Sequence, residues 1–251
     1  GVMGLHSYFQ KKKIPFGSVM SKVWNKKVFK DIQTKVDAAS VALAEERGAC
    51  PDAEEYGIKE RFSNKTAIAP TASISIICGG TSPGIEPISG NSYTHKTLSG
   101  SYNVRNKYLT KVLENYGKND DETWSSITTN QGSVSHLDFL TIEEKETFKT
   151  AFEIDQRWIV ELGADRTPHI SQAQSVNVFI PADIHKRDLH NIHFQAWKKG
   201  LKSLYYCRSK SIQRAENVNT GSSTDVTKNV YKTNEESTNE ENKYEECLSC
   251  Q

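Results

Sequence analysis

Apolar residues recur at three- and four-residue steps through Val28, Ile32, Val36, Ala39 and Leu43, which predicts a long helix with one face in a core. Ser18 opens it, and Gly48 followed by Pro51 stops it. At Gly1-Val2-Met3-Gly4-Leu5-His6 an apolar helical pattern is already running with no cap ahead of it, so sequence upstream is expected. The pattern changes over residues 66 to 104. A β-branched run through Ile74, Ile76 and Ile77 predicts buried sheet, Gly79-Gly80-Thr81-Ser82-Pro83-Gly84 a turn, and Ser99-Gly100 the tip of a hairpin.

Farther on, Asn106 to Tyr116 reads as a short helix. Thr141-Ile142-Glu143-Glu144 is a capping box opening a second one, with Phe148, Phe152, Ile159 and Leu162 on one face and Gly163 at its end. Val176 to Ile180 predicts a strand. Leu189, Ile192, Ala196 and Trp197 mark a helix ending near Gly200, with His185, His190 and His193 on its faces, and Leu204 to Cys207 predicts a last strand. Helices alternating with strands define an α/β chain. Beyond Arg214 the residues are Asn, Thr, Ser, Glu and Lys with few apolar ones, a composition that cannot bury enough surface to fold. The expected organisation is a folded part over residues 1–214 and a flexible acidic tail over 215–251.

Composition adds limits. With 36% apolar and 25% charged residues among 251, the chain can bury a substantial core. The tail holds eight acids against three lysines, so its charge is −5, and the body carries +6 of a total of +1. The body's basic residues are dispersed and no basic–aromatic patch stands out, which argues against nucleic acid as a partner. No apolar run reaches the 18 or so residues needed to span a bilayer. Five cysteines at irregular spacing do not make a secreted disulfide framework, and a reducing cytoplasm fits better.

Two places carry candidate chemistry. Cys247-Leu248-Ser249-Cys250 is a dithiol near the end of the apolar-poor tail, able to exchange two electrons by thiol–disulfide chemistry. The roughly forty residues from Cys207 to Cys247 span about 35 Å as a coil, enough to reach a neighbouring site. The alternative is half of a zinc knuckle, although no second CxxC or CxxH completes four ligands. Pro70-Thr71-Ala72-Ser73 places hydroxyls and small residues where backbone amides could hold an oxyanion, or it is a plain strand-entry turn. Tyr205 and Tyr206 are adjacent, and on a regular strand they would face opposite ways. Stacked rings there would need a local backbone departure, and two stacked phenols can form one step of a radical-hopping chain. One core and one surface tyrosine is the plainer reading.

Taken together, Ile68-Ala69-Pro70-Thr71-Ala72-Ser73, Gly84-Ile85-Glu86-Pro87, Leu98-Ser99-Gly100, Ser171-Gln172-Ala173-Gln174-Ser175-Val176-Asn177, the run from Trp197 to Tyr206 and the terminal cysteine pair resemble the large catalytic subunit of class I aerobic ribonucleotide reductase. The resemblance covers residues 1 to about 210 and the last four residues, and it spans only the C-terminal third or so of such a subunit. It implies the later part of a ten-stranded α/β barrel followed by a disordered tail. It implies that Thr71, Ala72, Ser73 and Ile74 bind the substrate's 5′ phosphates, and that Tyr206 and Tyr205 relay a radical inward from the small subunit. It further implies that Cys247 and Cys250 re-reduce an active-site disulfide and are themselves reduced by thioredoxin or glutaredoxin. The helix from about Asp183 to Gly200 would grip the small subunit's C-terminal peptide.

The family's radical cysteine, its disulfide-forming pair and its assisting glutamate and asparagine are expected upstream of residue 1, along with the allosteric nucleotide sites. Cys50, Cys78 and Cys207 stand in no matching context and are expected to be buried structural thiols. The implied partners are an N-terminal part of the large subunit, a metal-containing small subunit that supplies the radical, thioredoxin or glutaredoxin, and the ribonucleotide. No metal or other cofactor is expected in this chain. Such a half-barrel would expose a large apolar face. The rival readings are a non-catalytic remnant that binds the small subunit or thioredoxin, and a thioredoxin-like oxidoreductase, the latter discouraged by a CxxC that does not open a helix after a strand.

Overall fold

A computed structural model describes residues 2–97 and 100–209, with the backbone alone at residues 95–97, 100 and 101. The expected tail over 215–251, its boundary at 214 and the tip of the hairpin at Leu98 and Ser99 lie outside the described residues. Helix α1, Leu5–Lys11, leads into α2, Val19–Arg47. The Ser18 hydroxyl accepts the Ser21 N–H at 3.1 Å and donates to the Pro15 carbonyl at 2.7 Å, so it both caps α2 and fixes the entering chain. The buried stripe of α2 is Ser21, Asn25, Phe29, Ser40 and Ala44, with Ala39 exposed, so it is more polar than the apolar periodicity predicted. Small polar groups bring the backbones close, and Asn25 Nδ2 donates to the Leu162 carbonyl at 2.9 Å.

After a short α3, Pro51–Glu55, the chain makes a parallel bridge between Ile68 and Gln174 and then leaves the sheet. Pro70 has no N–H to continue the pairing. The expected sheet through Ile74, Ile76 and Ile77 is instead α4, Ala72–Ile77. Ser75 closes that turn, its N–H donating to the Thr71 carbonyl and its hydroxyl to the Ala72 carbonyl. Ile74, Ile76 and Ile77 are exposed, Ile77 by 84%, contrary to the buried placement expected of them. They contribute to the apolar exposure expected of a partial barrel.

The hairpin forms as anticipated. Strands β1, Ser92–Thr97, and β2, Gly100–Arg105, pair antiparallel from Ser92 opposite Arg105 to Thr97 opposite Gly100. Asn106 caps α5, Lys107–Asn115. Helix α6, Asp121–Thr129, was not anticipated, although Asp120 caps it by accepting the Thr123 N–H at 2.7 Å. The expected single helix from Thr141 to Gly163 is two. Helix α7, Ile142–Thr147, carries the capping box, while α8, Gln156–Arg166, starts afresh at Asp155. Between them Glu153 accepts from the Thr150 N–H and hydroxyl, and the Ala151 N–H goes to the Ile88 carbonyl at 2.7 Å, which pulls the chain off the helical path. Gly163 lies inside α8, faced by Leu201.

A 3₁₀ turn, Thr167–His169, leads to β3, Val178–Ile180. Helix α9, Lys186–Lys198, then returns the chain to β4, Cys207–Ser209, which pairs parallel with β3. A β–α–β unit of this kind is the element of an α/β barrel. Two apolar cores result. One gathers Leu5, Phe9, Phe16, Phe29, Ile85 and Val176 with their neighbours, and the other lies around Leu113, Trp124 and Ile127. Among the described residues no helix is long and apolar enough to cross a membrane.

His6 lies in the first core, fully buried, with Nδ1 accepting the Ile88 N–H at 3.0 Å. Burial lowers its pKa to about 3, opposed by a backbone bond at Thr147. The unfolded chain takes up a proton below about 6.5 and the folded one does not, so stability falls as pH drops from about 6.5 toward 3. The expected contribution is about 1.4 kcal/mol per pH unit in that window. Denaturant titrations of the wild type and His6→Gln between pH 7 and 4 should show a shallower loss in the variant, and equal slopes would contradict this.

Candidate active site

Two loops meet at the rim of the first core. Thr71 adopts the left-handed conformation, φ 54° and ψ 29°, and stands at the start of α4. The N–H groups of Ala72, Ser73 and Ile74 therefore fall in a first turn, where no intrahelical carbonyl reaches them. Thr71 Oγ1 accepts the Gly84 N–H at 2.8 Å and ties this turn to Gly84-Ile85-Glu86-Pro87. Gly84 has φ +45°, and a Cβ there would lie 2.9 Å from the Ala69 carbonyl oxygen and 3.4 Å from that of Pro70. Only glycine fits without moving the approach to Thr71.

The tyrosines stand just ahead of β4. The Tyr205 N–H donates to the Val176 carbonyl at 2.8 Å and the Tyr206 carbonyl accepts the Val178 N–H at 3.0 Å, two bonds that a regular parallel ladder would give to a single residue. The Tyr206 N–H goes instead to Asn177 Oδ1 at 2.8 Å. With the ladder interrupted at this residue, both rings turn to one side, their centroids 4.1 Å apart and their planes tilted by 48°. Both are partly exposed. Tyr205 also lines a cleft of about 470 Å³ with Ile68, Gln174, Ser175 and Ser203. Its lining includes Ile68, three residues ahead of Thr71.

Glu86, to which the sequence motif assigns no role, is buried, and its Oε1 accepts from Asn177 Nδ2 at 2.5 Å. Burial pushes its carboxyl up to about 7, against the opposing charge of Arg208 and the bond from Asn177. The available signal was an acid set between Ile85 and Pro87 in an apolar stretch. Cys247 and Cys250 lie outside the described residues. Of the cysteines expected to be buried, Cys50 is half-buried while Cys78 and Cys207 are exposed. Cys78 ends the outward-facing α4, and the Cys207 sulfur lies 3.9 Å from His193 Nε2. On α9, Phe194 and Trp197 are exposed neighbours, their ring centroids 5.6 Å apart. Among the described residues no group of three or more His, Cys, Asp and Glu could hold a metal ion.

A parallel β–α–β edge with helices packed beside it marks the chain as part of an α/β barrel. The family model for the ribonucleotide reductase barrel domain matches residues 1–60 and 51–207, and the chain belongs to that family. It is 45% identical over 222 residues to the ribonucleoside-diphosphate reductase large subunit of Invertebrate iridescent virus 6, covering 87% of this chain and 23% of the relative. Over its whole length it is 39% identical to a putative large subunit of Frog virus 3 and spans 41% of that protein. The alpha subunit of the class Id ribonucleotide reductase of Actinobacillus ureae superposes with a TM-score of 0.77 at 38% identity, over 84% of this chain and 38% of the other. The chain thus corresponds to part of a large subunit and spans less than half the length of each of these relatives.

Gly84→Ala should strain the turn and push it against Ala69, lowering stability by about 1–3 kcal/mol. Thermal unfolding would register the loss, and an unchanged midpoint would mean the turn relaxes freely.

Proposed function

We propose that this chain supplies the substrate-phosphate loop, the radical-relay tyrosines and the reducing dithiol of a ribonucleoside-diphosphate reductase, working in the cytoplasm with an N-terminal part of the large subunit. The observation that supports the reading is the close Tyr205–Tyr206 pair, with ring centroids 4.1 Å apart, beside the cleft. Thr71, Ala72, Ser73 and Ile74 would hold the 5′ phosphates by backbone N–H and hydroxyl groups, without a cationic side chain. The radical is supplied by a metal-containing small subunit. Tyr206 would accept it and pass it to Tyr205, each phenol losing an electron with its proton, and onward to a cysteine of the complementary part.

That thiyl radical removes the 3′ hydrogen of the ribonucleotide. Water leaves from C2′, and a cysteine pair delivers two electrons and becomes a disulfide. Cys247 and Cys250 would then reduce this disulfide by exchange, one thiolate attacking and the other resolving the mixed disulfide. Their own disulfide is reduced by thioredoxin or glutaredoxin. The residues 1–214 form the catalytic body in this reading, and 215–251 the arm. A second reading, a non-catalytic piece that holds the small subunit or thioredoxin, draws on the exposed Phe194 and Trp197 face of α9.

The two readings separate on one substitution. Tyr206→Phe keeps the ring but has no phenolic proton to lose, so turnover of the assembled enzyme should vanish while substrate and subunit binding stay near wild type. Retained turnover would return the tyrosines to ordinary packing. Replacing both Cys247 and Cys250 by Ser should permit one round of chemistry and then stop catalysis with thioredoxin or glutaredoxin, while a small dithiol restores part of the rate. Full activity of the double variant with the protein reductant would remove the arm from the mechanism.

A further inference from the structure

Three segments distant in the sequence meet in one chain of hydrogen bonds: Glu86 Oε1 accepts from Asn177 Nδ2, and Asn177 Oδ1 accepts from the Tyr206 N–H. Asn177 is wholly buried and Glu86 is 6% exposed. We propose that Glu86 is a positioning residue for the tyrosine pair, acting through the orientation of the Asn177 amide. The inference rests on the relay reading of Tyr205 and Tyr206.

The argument is one of donors and acceptors. An amide side chain can face Tyr206 with either its oxygen or its NH₂, and only the oxygen can accept a backbone N–H. The Glu86 carboxyl oxygen at the other end accepts from the NH₂, which fixes the amide the right way round. Without that acceptor the NH₂ is left unsatisfied in a buried site, and the flipped amide would set donor against donor at Tyr206. The Tyr206 N–H is the point where the ladder to residues 176–178 is interrupted and the rings come together. A shift there moves the Tyr206 ring against Tyr205 directly. A buried carboxyl is costly to keep, since burial drives it toward the neutral form. The polar chain it completes gives that position a use that an apolar residue could not fill.

The test uses the complete large subunit assembled with its small subunit, and compares kcat and KM for the ribonucleotide in Glu86→Ala, Glu86→Gln, Asn177→Leu and Tyr206→Phe. Glu86→Ala and Asn177→Leu should each lower kcat by about tenfold or more with KM changed by less than about twofold, the pattern of a lesion outside substrate binding. Glu86→Gln retains a side-chain carbonyl for Asn177 and should recover to within about threefold of the wild type. Asn177→Leu, with the same branching and number of side-chain heavy atoms, keeps the test sharp if Glu86→Ala fails to fold. Wild-type kcat in Asn177→Leu or in a folded Glu86→Ala, with Tyr206→Phe inactive, overturns the positioning role and leaves the relay standing. Failure of Glu86→Gln to recover, or a loss carried by KM, also overturns it. An active Tyr206→Phe overturns the relay reading itself, and this inference with it.

Discussion

Residues 174 to 180 are held on both edges, and the site depends on that. On one side Gln174 bridges Ile68, with the Ser175 N–H donating to the Ile68 carbonyl at 2.9 Å. On the other, Val176 and Val178 take the backbone of Tyr205 and Tyr206, and β3 continues the pairing into β4. Parallel neighbours need long crossovers, so the chain from Ile68 to Gln174 and from Ile180 to Cys207 must travel over the outside and return. The two candidate functional elements therefore lie on opposite sides of this segment. The phosphate-loop candidate follows Ile68, and the tyrosines precede β4.

That central segment is kept in register by polar groups as much as by apolar ones. Arg166 is fully buried, its Nε donating to Gln174 Oε1 at 2.6 Å and its NH1 to Asn25 Oδ1 at 3.2 Å, with the guanidinium over the Phe29 ring. Gln174 in turn donates to the Gly163 carbonyl and to Thr167. One side chain thereby ties α2 and α8 to the segment that carries Asn177. Burial lowers the pKa of Arg166 to about 9, opposed by the charge of Asp165. Breaking such a network leaves buried groups unpaired, so its members are tightly interdependent.

The second core is organised by another buried amide. Asn91 Nδ2 donates to the Gly132 and Phe148 carbonyls, and Asn91 Oδ1 accepts from Asn106. The hairpin is thus anchored at its base. Gly132 permits this approach, since a Cβ there would sit 2.5 Å from the Gly90 Cα. Against this rigid frame α4 and α9 present Ile77 and Trp197, both largely exposed, as the faces where further protein surface would be covered.

The sequence by itself determined the elements whose signals are local. Ser18 and Gly48 bound α2, Asn106 opens α5, and the capping box at Thr141 forms, because caps and glycine turns act over three or four residues. It also carried the family through the order of its motifs, none of which is diagnostic alone. Only the tertiary structure decided the rest. Periodicity ran Phe148 and Ile159 into one helix, but a backbone bond from Ala151 to Ile88, 63 residues away, broke it. Three isoleucines read as buried strand, yet they face outward from α4, because Pro70 ends the sheet and the burial of an apolar run depends on what packs against it. The union of Glu86, Asn177 and Tyr206 was likewise invisible in the chain, since a hydrogen bond between residues 91 positions apart leaves no local pattern to read.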